Sequence, residues 1–413
     1  MKLSFKFRPN INAKQLEIIE EISYHTTKMY NIISYDLREN GFKNYYDIEE
    51  MYKNNWHCDF LHSHTRQQMF KVLEQNWKSY FASIKDFGVN PGKYRGLPRP
   101  PKFKNTERNK NEIIFTNLAI RFQDGVLKLS LSKAIQKLFE VESLNFEVSN
   151  KLQILIDWNR LQQARFNYDK VQKCWHLIII YVKDEVENNN TNVMSIDLGL
   201  DNLATITFKT GLSQYIYCGR ELKSVNSYTN KKIAYLQGIE MKKYGSDKFK
   251  NTKKINRLRK YRNDYINDYM HKVSKNIIDK AIENNVNKII IGKLKDIKQN
   301  MNFNKAFVQI PTKRLVELIK YKAKLQGITI KMQEESYTSG CSAIDLEPVT
   351  KKYYNKSRRI TRGLFKSSLG ILNADINGSL NILRKAEKCI PDLVQTMMDK
   401  GNWTHPQRIR VAY

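Results

Sequence analysis

The segment Met194-Ser-Ile-Asp-Leu-Gly-Leu-Asp201 sets one carboxylate in the middle of an apolar strand. Successive strand residues point to opposite faces, so Met194, Ile196 and Leu198 turn one way and Asp197 the other. A carboxylate in a buried central strand is costly unless it is paired or holds a cation. A metal ligand explains it better than a solvated sheet edge. Gly199, close beside it, leaves room for a phosphate to approach.

The elements around this strand predict an α/β chain of several domains, as 413 residues allow. Residues 3–7 alternate apolar and polar as a strand does. Helical periodicity then fills 11–88, where Met69, Val72, Leu73, Trp77, Tyr80, Phe81 and Ile84 make one apolar face. The stretch Pro91-Gly-Lys-Tyr-Arg-Gly-Leu-Pro-Arg-Pro-Pro-Lys-Phe-Lys104 is an extended cationic connector. Strand-like runs at Ile113–Phe115, Ala119–Phe122, Val126–Leu129, Leu152–Ile156, Ala164–Tyr168 and Cys174–Val182 predict a small antiparallel β-barrel. The first strand completes it, and the helical lobe is an insertion. After an acidic, Asn-rich linker at 183–191, the order β-β-β-α-β-α-β is that of the RNase H-like fold, by analogy a sheet of order 3-2-1-4-5 with metal-binding carboxylates at its centre.

Lys and Arg number 71 against 41 Asp and Glu, a formal net charge of +30, which calls for a polyanionic partner. With 23 Tyr interleaved among the cations, nucleic acid is the expected one. A ribosomal or membrane-surface protein is the alternative, but the charge runs the whole length instead of sitting in one tail or helix. No run of ~20 apolar residues could cross a membrane. The charged start has no signal-peptide pattern, and a cytoplasmic protein is expected. Cys58, Cys174, Cys218, Cys341 and Cys389 are scattered and form no Cys-x-x-Cys pair, so free thiols are expected.

A second carboxylate stands in Asn373-Ala-Asp-Ile-Asn-Gly-Ser-Leu-Asn-Ile-Leu-Arg384, a predicted helix with Asn373 as cap and Ile376, Leu380 and Leu383 as apolar stripe. Asp375 lies off that stripe in the first turn, where on its own it would merely complement the helix dipole. With Asp197, it could share Mg²⁺ ions.

The segments Ser195-Ile-Asp-Leu-Gly, Tyr337-Thr-Ser339 and Ala374-Asp-Ile-Asn, with the upstream Gly96-Leu-Pro-Arg-Pro-Pro-Lys-Phe-Lys104, resemble the TnpB (OrfB) proteins of bacterial insertion sequences, ancestors of the type V CRISPR effectors. The resemblance covers nearly the whole chain and implies an RNA-guided DNA endonuclease with a wedge barrel (1–10 and 89–185), a helical recognition lobe (11–88) and a RuvC nuclease domain (192–335 and 371–390). It implies two Mg²⁺ ions, a guide RNA, double-stranded target DNA, one protein per guide, and a bacterial, nucleoid-associated location. Asp197 and Asp375 would be the first and last catalytic carboxylates.

Two departures stand out. Many relatives carry a catalytic Glu at the end of the fourth strand, where this chain has Gly292. The next strand ends in Gln333-Glu-Glu-Ser-Tyr337, and neighbouring strands lie only ~4.8 Å apart. Glu335 is therefore expected as the third metal ligand, with Glu334 the second choice, as in a TnpB branch with a relocated glutamate. If both are surface charges, the protein is a nuclease-dead, guided repressor; a CRISPR-associated effector of the same fold is the other alternative. The second departure is the absence of paired cysteines in 336–370, so no structural zinc is expected. That basic insertion, with Lys352, Arg358, Arg359 and Arg362, suits nucleic acid, as do Lys254, Arg257 and Lys260 on a predicted helix and Arg99, Lys102 and Lys104 in the connector. Residues 391–413 form a tail without an assigned role.

Overall fold

A computed structural model describes residues 1–108, 110–211, 213–245, 251–293, 310–387, 391–400 and 403–411. The chain divides into two compact units, Met1–Lys183 and Asp184–Tyr413.

In the first unit, β1 (Lys2–Phe7) pairs antiparallel with β7 (Cys174–Val182), from Lys2 opposite Val182 to Phe7 opposite Leu177. Between β1 and β2 (Ile113–Thr116) run α1 (Ala13–Glu39), α2 (Tyr45–Tyr52), α3 (Trp56–Asp59) and α4 (Ser63–Val89). Asn12 and Gln15 cap α1 reciprocally, and Met69, Leu73 and Trp77 of α4 are buried, as their spacing requires. The strands form two antiparallel sheets, not one hydrogen-bonded ring. One has the order β1-β7-β6-β2, with β6 Leu161–Asp169; the other is β3 (Ile120–Gln123), β4 (Val126–Ser130) and β5 (Ser143–Glu147).

Two elements differ from expectation. The run at 152–156 is helical, α6 (Asn150–Leu155) following α5 (Lys133–Phe139), because Ser149 starts a turn and Ile154, 87% exposed, has no sheet to enter. The segment 143–147, which the expected strands leave out, is a strand whose alternation buries Leu144 and Phe146 and which pairs with β4.

The second unit is built on a six-stranded sheet of order β12-β11-β8-β9-β10-β16. Its strands are β8 (Asn192–Leu198), β9 (Asn202–Phe208), β10 (Gln214–Cys218), β11 (Val286–Lys293), β12 (Thr329–Glu334) and β16 (Gln407–Ile409). β8 is central, antiparallel to β9 and parallel to β11. Met194, Ile196 and Leu198 pack on one face with residues of α8 (Lys253–Glu283), which follows α7 (Arg220–Tyr244), and of α9 (Thr312–Leu325). On the other face Val193 and Ile290 meet Ile376, Leu380 and Leu383 of α10 (Ala374–Ala386), each side chain contributing about 1.5–3 kcal/mol by burial. After α10 come α11 (Pro391–Lys400) and then β16, which adds a parallel strand beside β10. Among the described residues no helix is long and apolar enough to cross a membrane. Cys58, Cys174, Cys218 and Cys341 are free thiols, while Cys389 lies outside the described residues.

The segment between β12 and α10 carries a three-stranded antiparallel sheet, β13 (Arg359–Thr361), β14 (Leu364–Ser367) and β15 (Gly370–Asn373). Side chains from α10 fix the loop that precedes it. Asn377 donates to the Cys341 carbonyl at 2.9 Å and accepts from the Ala343 amide. Asn381 donates to the Thr338 and Cys341 carbonyls, and Arg384 to that of Glu347. Asn377, Asn381 and Arg384 recur at helical spacing, so one polar face of α10 holds backbone that would otherwise be buried without partners. Asn381→Ala should cost about 1–3 kcal/mol in urea denaturation; a loss below about 0.5 kcal/mol would show that the loop is held elsewhere.

Candidate active site

Three carboxylates reach one region of the second unit from three elements. Asp197 lies near the end of β8, on the face that receives α10. Asp375 is in the first turn of α10, where Asn373 accepts from the Asp375 and Ile376 amides at 3.0 and 3.2 Å. Glu335 follows directly on β12, which ends at Glu334, so strand alternation no longer sets its direction.

Two glycines make this convergence possible. A Cβ at Gly378 would fall 2.6 Å from Asp197 Oδ2, so α10 can lie against the carboxylate only without a side chain there. A Cβ at Gly292 would fall 2.0 Å from Glu335 Oε1. Gly292 pairs with Gln333 on the neighbouring strand, and the Glu335 side chain occupies the space that a side chain at 292 would need. At Gly199 a Cβ would meet the Asn202 carbonyl at 2.4 Å, so its smallness is required by the β8–β9 turn.

The electrostatics agree with the geometry. Burial pushes the Asp197 carboxyl well above the usual carboxylate range, and the charges of Glu335 and Asp375 push it further, against Arg359. Burial, with a contribution from Glu334, raises Glu335 to about 7. Glu335 Oε1 is buried without a hydrogen-bond partner. Glu334 is exposed, 3.3 Å from Lys385 Nζ. Lys385 also donates to the carbonyls of Glu334 and Ser336, gripping the backbone on both sides of Glu335.

Hard carboxylate oxygens, one of them orphaned, suit a hard divalent cation. The donor set thus fits such an ion, although among the described residues no three His, Cys, Asp or Glu side chains are gathered into a ligand group. Positive charge comes instead from arginines of the basic insertion. Arg359 Nη2 lies 3.7 Å from Asp375 Oδ1, and Arg362 Nη1 lies 2.7 Å from Asp201 Oδ2. Asp201 also accepts from Lys223 Nζ at 2.5 Å, and this bond, with Arg362 nearby, holds its carboxyl below the ordinary value.

The remaining cations divide by setting. Lys254 and Arg257 are exposed on α8, whereas Lys260 pairs with Asp264 at 3.2 Å. Lys352 is exposed, and Arg358 is bound to Glu347 at 2.6 Å. In the first unit Arg99 and Lys102 are exposed, while Lys104 exchanges backbone hydrogen bonds with Asn31 and lies over the Tyr30 ring. Lys385 and Asn202, which touch the site or its backbone, carry no sequence signal of their own beyond a position five residues past Asp197 for Asn202 and a place on the helix of Asp375 for Lys385.

The family described as OrfB_IS605, probable transposase, matches residues 176–298, which carry Asp197 and Gly292. The Cas12f1-like TNB domain matches residues 313–382, which carry Glu335, the basic insertion and Asp375. A TnpB-like protein, ORF457 of Acidianus two-tailed virus, is 23% identical over 91% of this chain and 84% of its own length. These matches make the chain similar to the TnpB proteins. Its fold is that of solved effectors with little sequence in common. A Cas12f1–sgRNA–target DNA complex superposes with a TM-score of 0.57 at 13% identity, over 92% of this chain and 98% of that one. CasPhi-2 (Cas12j) bound to crRNA gives 0.55 at 7% identity, over 95% and 99%. Between them, the two family matches cover all three carboxylates.

Proposed function

We propose that the chain is an RNA-guided DNA endonuclease that hydrolyses target DNA at a RuvC-like site formed by Asp197, Glu335 and Asp375. The observation that carries this reading is Glu335, half-buried, with its Oε1 buried and unpartnered in the space left by Gly292 and felt electrically by Asp197. The sheet order, β12-β11-β8-β9-β10, supports an RNase H-like domain, with Asp197 on its central strand.

Asp197, Glu335 and Asp375 would hold divalent cations, taken to be two Mg²⁺. Bound there, these would supply the charge that activates a water and steadies the leaving oxygen of a phosphodiester. The chain's own contribution is placement. β8 and α10 fix Asp197 and Asp375 on facing elements, Lys385 fixes the turn carrying Glu335, and Gly378 and Gly292 keep the space between them open. Arg359 and Arg362 lie where they can meet a phosphate strand entering the site. The exposed Lys254, Arg257, Lys352, Arg99 and Lys102 supply backbone contacts to guide RNA and target DNA, consistent with the guide-bound complexes that share the fold. In this reading 1–10 with 89–185 is the wedge, 11–88 the recognition lobe and 336–370 the nucleic-acid-binding insertion.

Arginine beside Asp375 favours one rival, a guided binder in which arginine permanently replaces the metal. Plasmid cleavage by protein carrying its co-purified RNA, with Mg²⁺, decides between them. Cleavage that EDTA abolishes is expected; guided binding without cleavage, at any Mg²⁺ concentration, supports the rival.

A further inference from the structure

The tail beyond α10 returns to the catalytic sheet. β16 runs parallel to β10, with Arg408 opposite Ile216. From there Arg408 Nη1 reaches Asn202 Oδ1 at 3.4 Å, and Asn202 Nδ2 donates to Asp375 Oδ2 at 2.5 Å. Asn202 stands at the start of β9, across the tight turn from Asp197, and its backbone carbonyl is the group that excludes a side chain at 199.

We infer that Asn202 is the positioning residue for Asp375, and that Arg408 sets its orientation. The inference rests on the metal-site reading above.

An amide side chain can present either oxygen or nitrogen to a carboxylate, and only the nitrogen is attractive. Guanidinium has no acceptor, so Arg408 requires the Asn202 oxygen on its side. The nitrogen must then face Asp375. Asp375 Oδ2 is thereby fixed by a donor, and its Oδ1 meets Arg359 at 3.7 Å. A carboxylate restrained at one oxygen enters a cation site at lower entropic cost, which is how hydrogen bonds behind a metal ligand raise affinity, typically by 10–100-fold. The helix cap on Asp375 restrains its backbone alone; Asn202 restrains the carboxylate itself. This gives the residues from 403 onward a task at the site: Trp403 packs against the α10 face, its carbonyl accepts from the Asn373 amide at 3.0 Å, and the chain then runs on to Arg408.

The test uses full-length protein with its RNA, in Asn202→Ala, Arg408→Ala and double-variant forms, with Asp375→Ala as reference. Mn²⁺ binding to the DNA-free complex is measured by electron paramagnetic resonance, and cleavage is measured against Mg²⁺ concentration. Asn202→Ala should weaken Mn²⁺ binding by about 10-fold and move the Mg²⁺ midpoint upward by a similar factor. Arg408→Ala should shift both by ~3-fold, and the double variant should match Asn202→Ala, because Arg408 acts through Asn202. Melting temperatures separate a folding defect from this effect. Wild-type Mn²⁺ affinity in folded Asn202→Ala overturns the inference, as does full additivity in the double variant. If Asp375→Ala also leaves Mn²⁺ binding intact, the metal-site reading itself has failed; if Asp375→Ala weakens it and Asn202→Ala does not, only the inference has.

Discussion

Asp197→Ala should reduce DNA cleavage by at least ~1,000-fold while guided DNA binding stays within about 3-fold of wild type. Asp197 is the carboxylate on which the others converge, and none of the nearby groups can take its place. Asn202 and Thr205 offer no negative oxygen, and Asp201 is engaged by Lys223 and Arg362. The same residue makes a second, opposite forecast. Its carboxyl is raised well above the usual range by burial and by like charges, so above that raised value the ionised form costs folding stability. The sign follows from proton binding. Where the native state holds a proton that the unfolded state has lost, stability falls as pH rises, from the unfolded value through the folded one. Glu335, raised from 4.5 to about 7, gives a defined window for the effect. Metal-free Glu335→Gln should gain little at pH 4.5 and on the order of 1–2 kcal/mol at pH 8, after allowing for its partial exposure. Calorimetry at the two pH values checks this. An Asp197→Asn protein that melts below wild type in EDTA would contradict the strain on which the site reading rests.

Gly292→Ala should be almost as damaging to cleavage as loss of Glu335, by ~100-fold or more, though alanine is chemically inert. Its Cβ would stand 2.0 Å from Glu335 Oε1 and 2.8 Å from Ile382 Cδ1. The carboxylate must leave, because β11 is a buried strand that cannot retreat. The packing strain itself should cost only about 1–3 kcal/mol, so the variant should remain folded. Position 292 and Glu335 are thus mutually exclusive occupants of one space. The double variant Gly292→Glu/Glu335→Ala moves the carboxylate to the neighbouring strand and should recover part of the cleavage lost in Glu335→Ala. Kinetics on a labelled duplex measure both. Full activity in Gly292→Ala would mean that the Glu335 carboxylate does not act from this position.

The parts of this site that were legible in the sequence are those fixed by periodicity. The facing of Asp197 follows from alternation along β8, and the Asn373 cap and apolar stripe of α10 follow from helical spacing. The vacancy at Gly292 was legible only against a family pattern. What periodicity alone does not supply depends on tertiary approach. Glu335 lies past the last paired residue of β12, so no period assigns it a face, and only the space over Gly292 distinguishes it from Glu334. Nothing in the sequence marks Asn202, whose contact with Asp375 joins positions 173 residues apart. The basic insertion is expected to contact nucleic acid, and the ion pairs of Arg358, Arg359 and Arg362 with carboxylates of the fold carry no sequence signal. The apolar run Leu152–Ile156 predicts a strand, but the segment folds as helix α6, and the exposure of Ile154 and Leu155 shows that apolar composition alone does not supply a sheet to join.

The central claim is that Glu335, displaced one strand from the usual position, completes the nuclease site. Cleavage of a guide-matched plasmid by Glu335→Ala and Glu334→Ala, side by side with wild type in Mg²⁺, tests it most directly. The account predicts a loss of ~100-fold or more for Glu335→Ala, with binding retained, and near wild-type cutting for Glu334→Ala, whose carboxylate pairs with Lys385. Full cleavage by Glu335→Ala would contradict it.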